Sequence, residues 1–250
     1  MKFIHLSDFH FHRHPRKNED ANAVLSYVKD HYPESHLIVT GDIVDDGHPD
    51  QYINAFEALA PFMGRVFIAP GNHDFGAVGN LFSDERARRF DEYLSKPLKQ
   101  GGTFMGDQTP VVNVLQEDDT EVMLIALDTN LETEHPFDFA CGQVGELQLA
   151  ALKTLLSTSP PDLVKIVFFH HHPFMHNNPF MELTDGRSLM SAMFNRVDAV
   201  CFGHKHVSYQ WENMNGIRYI LAADNAPGKN YAREINVVGR DISVSDILIA

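Results

Sequence analysis

The sequence predicts an α/β fold. Three observations carry this: short apolar runs recur along the chain, most are continuously hydrophobic rather than alternating, and helical-looking segments separate them. Continuous runs suit strands covered on both faces, and strands alternating with helices suit a largely parallel sheet.

The runs are "KFIHLS", "HLIVT", "RVFIAP", "EVMLIAL", "LVKIVFF", "VDAVCF" and "IRYILAA". Helices are predicted near 19–31, 50–62, 82–96, 143–157 and 186–196. The fourth places Val144, Leu147, Leu149, Leu152, Leu155 and Leu156 mostly on one stripe. Residues 99–120 read as an irregular hairpin or loop. After residue 210, "WENMNGIRYILAAD" and "REINVVGRDISVSDILI" suit two or three short strands joined by Gly and Asn turns, with no helix between them. No repeat, low-complexity tract or linker interrupts the pattern, so residues 1–250 read as one domain.

With 44% hydrophobic residues, the chain can bury a sizeable core. Its formal charge of −14, from 20 basic and 34 acidic residues, argues against a nucleic-acid polymer or an anionic membrane as partner. A small anion can still bind where cations are supplied locally. The "MKFIHLSDFH" start reads as a strand rather than a signal peptide, and no 18-residue apolar stretch occurs. Cys141 and Cys201 lie outside any CxxC. A disulfide between them is open, but a reduced, cytoplasmic protein is the simpler expectation.

Chemistry gathers at the carboxyl ends of the runs. The first ends in Asp8 and His10, the second in "GDIVDDG" with Asp42, and the third in "GNHD" with Asn72, His73 and Asp74. The fifth ends in "HHHP", His170 to Pro173, and the sixth in "GHKH", with His204 and His206. Open α/β sheets gather functional groups outside the carboxyl ends of their strands. A lone Asp often caps a turn and a lone His often satisfies a core hydrogen bond, but five strand ends carrying Asp, Asn and His point to one metal-binding rim.

Asp8 and His10 are two residues apart, as are His204 and His206, so extended backbone would project each pair to one side. Carboxylate and imidazole without thiolate suit Mn, Fe, Zn or Co. The candidates exceed one coordination sphere, which points to two ions, and two ions about 3.5–4 Å apart clamp an in-line displacement at phosphorus. A central carboxylate would bridge them, and Asp42 is the choice; Asp45 and Asp46 read as a solvated, N-cap-like turn before they read as support behind the ligands.

These blocks (D-x-H, G-D, G-N-H-D, His before x-P, and G-H-x-H, in that order from residue 8 to 206) resemble the calcineurin-like metallophosphoesterase superfamily. The resemblance implies a four-layer αββα sandwich of two mixed sheets flanked by helices. It implies one metal on Asp8, His10, Asp42 and His206, and another on Asp42, Asn72, His171 and His204. His171 is preferred because the family's ligand lies two positions before the Pro; His170 would point back into the core and His172 toward the pocket. His73, kept oriented by Asp74, would be the catalytic proton donor or a contact to a phosphoryl oxygen. The resemblance implies that two cations would lower the pKa of a bound water, so that hydroxide would be available near neutral pH without a Ser or Cys nucleophile.

"CGQVGELQLAALKTLL", with "LDTN" and "GIRYILAADNAPG", resembles the class III cyclic nucleotide phosphodiesterase branch, although Ala151 stands where that branch has Trp and Val144 where it has Leu. The expected substrate is a small phosphodiester, with cyclic nucleotides leading. A phosphomonoesterase is the alternative. The missing basic stripe counts against a nuclease, and the full ligand set counts against a metal-dead scaffold. His12, Arg13, His14 and Arg16 read as a solvated loop before they read as a phosphate rim. His176, Asn177 and Asn178, beside Phe174 and Phe180, suit a nucleobase cover, a loop anchored by aromatics, or a surface for a partner subunit in a homodimer.

Overall fold

The structure is a computed structural model that describes residues 1–106, 110–130, 140–174, 178 and 180–249. Each predicted apolar run forms a strand. In chain order the elements are β1 (Lys2–Leu6), α1 (Glu19–His31), β2 (His36–Thr40), α2 (Pro49–Leu59), β3 (Val66–Ala69), α3 (Asn72–Phe75), β4 (Gly76–Ala77), β5 (Leu81–Phe82) and α4 (Asp84–Phe90). They continue with β6 (Val111–Glu117), β7 (Thr120–Ala126), α5 (Glu146–Thr158), β8 (Val164–Phe168), α6 (Gly186–Met193), β9 (Ala199–Phe202), β10 (Tyr209–Met214), β11 (Ile217–Ala222), β12 (Tyr231–Val238) and β13 (Asp241–Leu248).

Two mixed sheets form, with orders β13-β12-β1-β2-β3 and β10-β11-β9-β8-β7-β6, and β4 and β5 make a small hairpin. Parallel pairing runs through β1, β2 and β3 and through β7, β8, β9 and β11, which is why those strands read as continuous apolar runs. Within these two sheets, antiparallel pairing is confined to β13-β12-β1 on one flank of the first and to the β10-β11 and β6-β7 pairs at the two edges of the second.

Side-chain alternation on the second sheet sorts the core. Leu124, Ile166, Phe168 and Cys201 face the first sheet and join its core, whereas Ile125, Val167, Phe169 and Val200 meet α5 and α6 on the other face. Helices α1 and α2 bury Val24, Leu25, Val28, Ala55 and Leu59 into the first sheet's core. The result is a helix-sheet-sheet-helix arrangement.

Three details differ from the sequence reading. Residues 111–117 are a regular strand, β6, paired in register with β7; as a half-exposed edge strand, its "VVNVLQE" shows no continuous apolar run. Four strands rather than two or three follow residue 208, because Asn215 and Gly216, both at positive φ, close a tight hairpin between β10 and β11. Leu147 is 90% exposed, because α5 begins only at Glu146 and buries Gln148, Leu149, Leu152 and Leu156 instead. Gln148 anchors the end of β7, bonding the Asp128 N–H and C=O. No helix among the described residues is long and apolar enough to cross a membrane.

Candidate metal centre

The loops after β1, β2, β3, β8, β9 and β11 meet at one end of the two sheets. Backbone pairing continues past the strands: Asp8 N–H donates to Gly41 O (3.0 Å) and His10 N–H to Asp42 O (2.9 Å). The Asp8 carboxylate cross-links the two sheets by accepting the His204 N–H (3.1 Å), and within the first sheet Asp42 Oδ1 accepts the His73 N–H (2.9 Å). Gly71 is fixed by close approach, because a Cβ there would collide with the Asp42 backbone and carboxylate.

Asp8, His10, Asp42, His204 and His206 all have positive φ, between 48° and 75°. The expectation that Asp8–His10 and His204–His206 project from extended backbone is therefore wrong. Left-handed backbone at non-glycine residues is strained and concentrates at functional sites; here it turns side chains of successive loops inward.

Three groups of donor atoms, each within 4.8 Å of one another, result: Asp8, His10 and His206; His10, Asp42 and His73; and Asp42, His170 and His204. Asn72 Oδ1 joins the last, 2.9 Å from His170 Nε2 and 3.1 Å from His204 Nδ1. The sequence-predicted Asp8, His10, Asp42, Asn72, His204 and His206 are thus brought together around Asp42, with His73 at the edge.

The triple histidine differs from expectation. His170 points into the cluster, with Nε2 3.3 Å from Asp42 Oδ2 and Nδ1 donating to Thr40 O (2.8 Å). The cause is the period of two along β8: His170 shares the inner face with Ile166 and Phe168, the side where Asp42 lies. His171 falls on the opposite phase, with Nδ1 2.8 Å from the Thr129 hydroxyl, although its ring centroid lies 4.5 Å from that of His204. His172 turns from the site to pack against Phe202, Phe174 and Trp211.

Asp74 does not orient His73. Its carboxylate accepts the Val44 N–H (2.8 Å), the Gly71 N–H (2.8 Å) and the Ile43 N–H (3.3 Å), tying the loops after β2 and β3 together. His73 is oriented by the Asp45 carbonyl, which accepts from Nδ1 (2.8 Å), while Gly79 packs against Nε2. The "solvated turn" at Asp45 and Asp46 is therefore built into the site's frame.

Sequence reasoning missed Asp224. It follows β11 and lies buried with Oδ1 3.4 Å from His206 Nδ1, the carboxylate–histidine arrangement that fixes a ligand's tautomer. Its signal was the strand-end rule: "ILAADN" ends a parallel strand in acid and amide. Thr129 also escaped, although "LDTN" ends β7.

The electrostatics suit cations. Burial pulls His10 to about 4 and His204 to about 3, keeping both imidazoles neutral with lone pairs to give. Burial, joined by the Asp42 charge, raises Asp8 to about 6 despite the neighbouring histidines. Burial would also raise Asp42, but His170, His73 and His10 overcome it and hold that carboxyl well below the usual range. His10 Nε2, His171 Nε2 and His204 Nε2 are buried with no hydrogen-bond partner among the described residues. Orphaned buried nitrogens beside carboxylates, with no thiolate, fit a hard-to-borderline divalent cation.

The first-loop residues are anchored rather than loose. Asn18 holds both the N–H and C=O of His12, and Asn54 also donates to that carbonyl. Arg13, His14 and Arg16 are exposed, as a solvated loop should be, yet His12 and Arg13 line a cavity of about 270 Å³ shared with His73. His176 and Asn177 lie outside the described residues; Asn178 Oδ1 accepts the Phe180 N–H (3.2 Å).

Residues 1–208 match the family model described as calcineurin-like phosphoesterase. The chain belongs to that family.

Among curated relatives, it is 26% identical over 182 residues to the 3′,5′-cyclic adenosine monophosphate phosphodiesterase CpdA of Haemophilus influenzae, a match covering 70% of this chain and 56% of that protein. The chain thus spans little more than half of that relative's length. It is 26% identical over 221 residues to the glycerophosphodiester phosphodiesterase GpdQ of Enterobacter lignolyticus, covering 82% and 71%. It is 25% identical over 229 residues to a probable cyclic nucleotide phosphodiesterase of Rhodopseudomonas palustris, covering 86% and 75%.

The fold is that of solved metallophosphatases. A dimetal phosphatase from Danio rerio superposes with a TM-score of 0.67 at 16% identity, over 100% of this chain and 99% of the other. A purple acid phosphatase from yellow lupin also gives 0.67, at 10% identity over 99% and 51%.

Proposed function

We propose that residues 1–250 form a single metal-dependent phosphodiesterase domain that hydrolyses small phosphodiesters in the cytoplasm, where Cys141 and Cys201 stay reduced. The observation that supports it best is the convergence of Asp8, His10, Asp42, Asn72, His170, His204 and His206 from five strand ends. One cation would be held by Asp8, His10, Asp42 and His206, the other by Asp42, Asn72 and His204 with one histidine of the triplet: His170, whose Nε2 faces Asp42 and Asn72, or His171, whose buried Nε2 has no hydrogen-bond partner among the described residues. The oxygen and nitrogen donors suit Mn, Fe, Zn or Co.

When bound, the cations would supply positive charge against the phosphoryl group and lower the pKa of water. The chain's residues do the rest. Asp42, shared by both groups of donors, offsets the paired charge. His73 carries its Nδ1 proton to the Asp45 carbonyl. Although burial opposes it, Asp42 and that carbonyl raise its pKa, so a protonated share is present near neutrality to donate to a departing alkoxide. Named relatives acting on 3′,5′-cyclic AMP and on glycerophosphodiesters support a diester substrate, with cyclic nucleotides the leading class.

The test is a substrate panel on metal-quantified protein: bis(p-nitrophenyl) phosphate, p-nitrophenyl phosphate, 3′,5′-cyclic AMP and a glycerophosphodiester. Diesters are expected to be preferred, and a monoester preference would overturn the reading. Asp42→Asn and His206→Ala are expected to abolish turnover in folded protein.

A further inference from the structure

Val78 sits in the three-residue loop between β4 and β5 with φ of 56°, and Gly79 follows with φ of 71°. Left-handed backbone crowds Cβ against the next carbonyl, and a β-branched side chain makes this worse; Gly and Asn are the residues that tolerate it. Val78 is nevertheless there, with 78% of its surface exposed. Nothing in the core repays this apolar, strained residue.

The loop is fastened to the candidate site. Asn72 Nδ2 donates to Gly79 O (2.7 Å), and the Val78 N–H donates to Asp46 Oδ1 (3.1 Å). The cavity of about 270 Å³ that opens beside His73 is lined by His12, Arg13, His48 and Gln51, with Asp45 and Asp46; among the described residues Val78 is its one aliphatic member. A cavity with convergent polar groups and a single apolar contact is how small-ligand sites set orientation.

We propose that Val78 is a specificity-determining residue that presents its methyl groups to the hydrocarbon part of a phosphodiester's ester arm in the cavity beside His73. This rests on the phosphodiesterase reading above. Backbone strain is retained at Val78 because the loop's polar tethers fix its path while its side chain serves the substrate.

The test is Val78→Asn, which suits the left-handed backbone. Three results are expected. The thermal midpoint of the metal-free protein rises by a few degrees as strain is relieved. KM for bis(p-nitrophenyl) phosphate rises about tenfold, the scale of one apolar contact. Competitive inhibition by inorganic phosphate, which has no ester arm, changes by less than about twofold. A raised midpoint with unchanged KM would show that Val78 is only a turn residue and overturn the proposal. Equal weakening of phosphate inhibition would also overturn it, by showing that the loop acts through Asn72 and His73. If Val78→Asn misfolds, Val78→Thr keeps the branched shape and replaces one methyl by hydroxyl; KM must still rise. Wild-type protein that turns over no phosphoester would sink the phosphodiesterase reading and this proposal together, whereas unchanged KM in an active variant sinks only this one.

Discussion

Asp42 and His170 meet between the two sheets, with Asp42 Oδ2 3.3 Å from His170 Nε2, although 128 residues separate them along the chain. Both are fully buried in the same polar cluster, and His170 also reaches Asn72. A buried carboxylate needs a partner, and the imidazole meets it at the centre of the donor cluster.

That placement predicts which histidine of the triplet matters most. His170→Ala is expected to lower metal content and turnover sharply, by about two orders of magnitude or more, as for loss of a direct ligand. His171→Ala, which removes a bond to Thr129, is expected to have the smaller effect on metal content. Metal analysis of both variants decides between them, and the reverse order would restore His171 as the ligand.

Asp224 is expected to act through His206. Hydrogen bonding to the Asp224 carboxylate raises the His206 imidazole, and the pair fixes which nitrogen faces the site. Asp224→Asn should weaken metal affinity about 10- to 100-fold with the fold intact. Titration of metal-free protein measures it.

Gly79 cannot carry a side chain without moving His73: a Cβ would lie 2.5 Å from His73 Nε2, on a backbone with φ of 71°. Because the same Cβ would lie 2.8 Å from Asn72 Nδ2, Gly79→Ala is expected to cut kcat about tenfold or more through misplacement of His73, with metal content lowered as Asn72 shifts. Kinetics with metal analysis test this.

His5 sets part of the acid limit of stability. It is fully buried, and burial, with a smaller contribution from Arg233, lowers its pKa from 6.5 to about 3. The unfolded chain therefore binds the proton more readily between those values. Stability from this group is complete above pH 6.5 and is lost progressively as pH falls toward 3. His5→Phe should flatten the fall in urea midpoint from pH 6.5 to 4, and an unchanged slope would contradict the assignment.

Much of this was legible in the sequence because physics wrote it there. Strands buried on both faces read as continuous apolar runs, and each ends where its polar residue leaves the core, so Asp8, Asp42, Asn72, His204 and His206 could be gathered before any coordinates. What stayed hidden depends on local backbone geometry. Positive φ at Asp8, His10 and His206 overrides the alternation that spacing implied. The phase of β8, invisible in three identical letters, turns His170 to the inner face beside Asp42 and His171 to the opposite one beside Thr129. Asp74 spends its carboxylate on three backbone N–H groups, a role no motif announces. Edge strand β6 is half-exposed and so lacks the signal that marked its neighbours.

The most direct measurement is a titration of metal-free protein with Mn²⁺, following bound ions per chain alongside turnover of bis(p-nitrophenyl) phosphate. The account predicts that turnover rises as the second ion binds, saturates at two per chain, and is lost in Asp42→Asn. Full turnover with one ion, or with none, would contradict it.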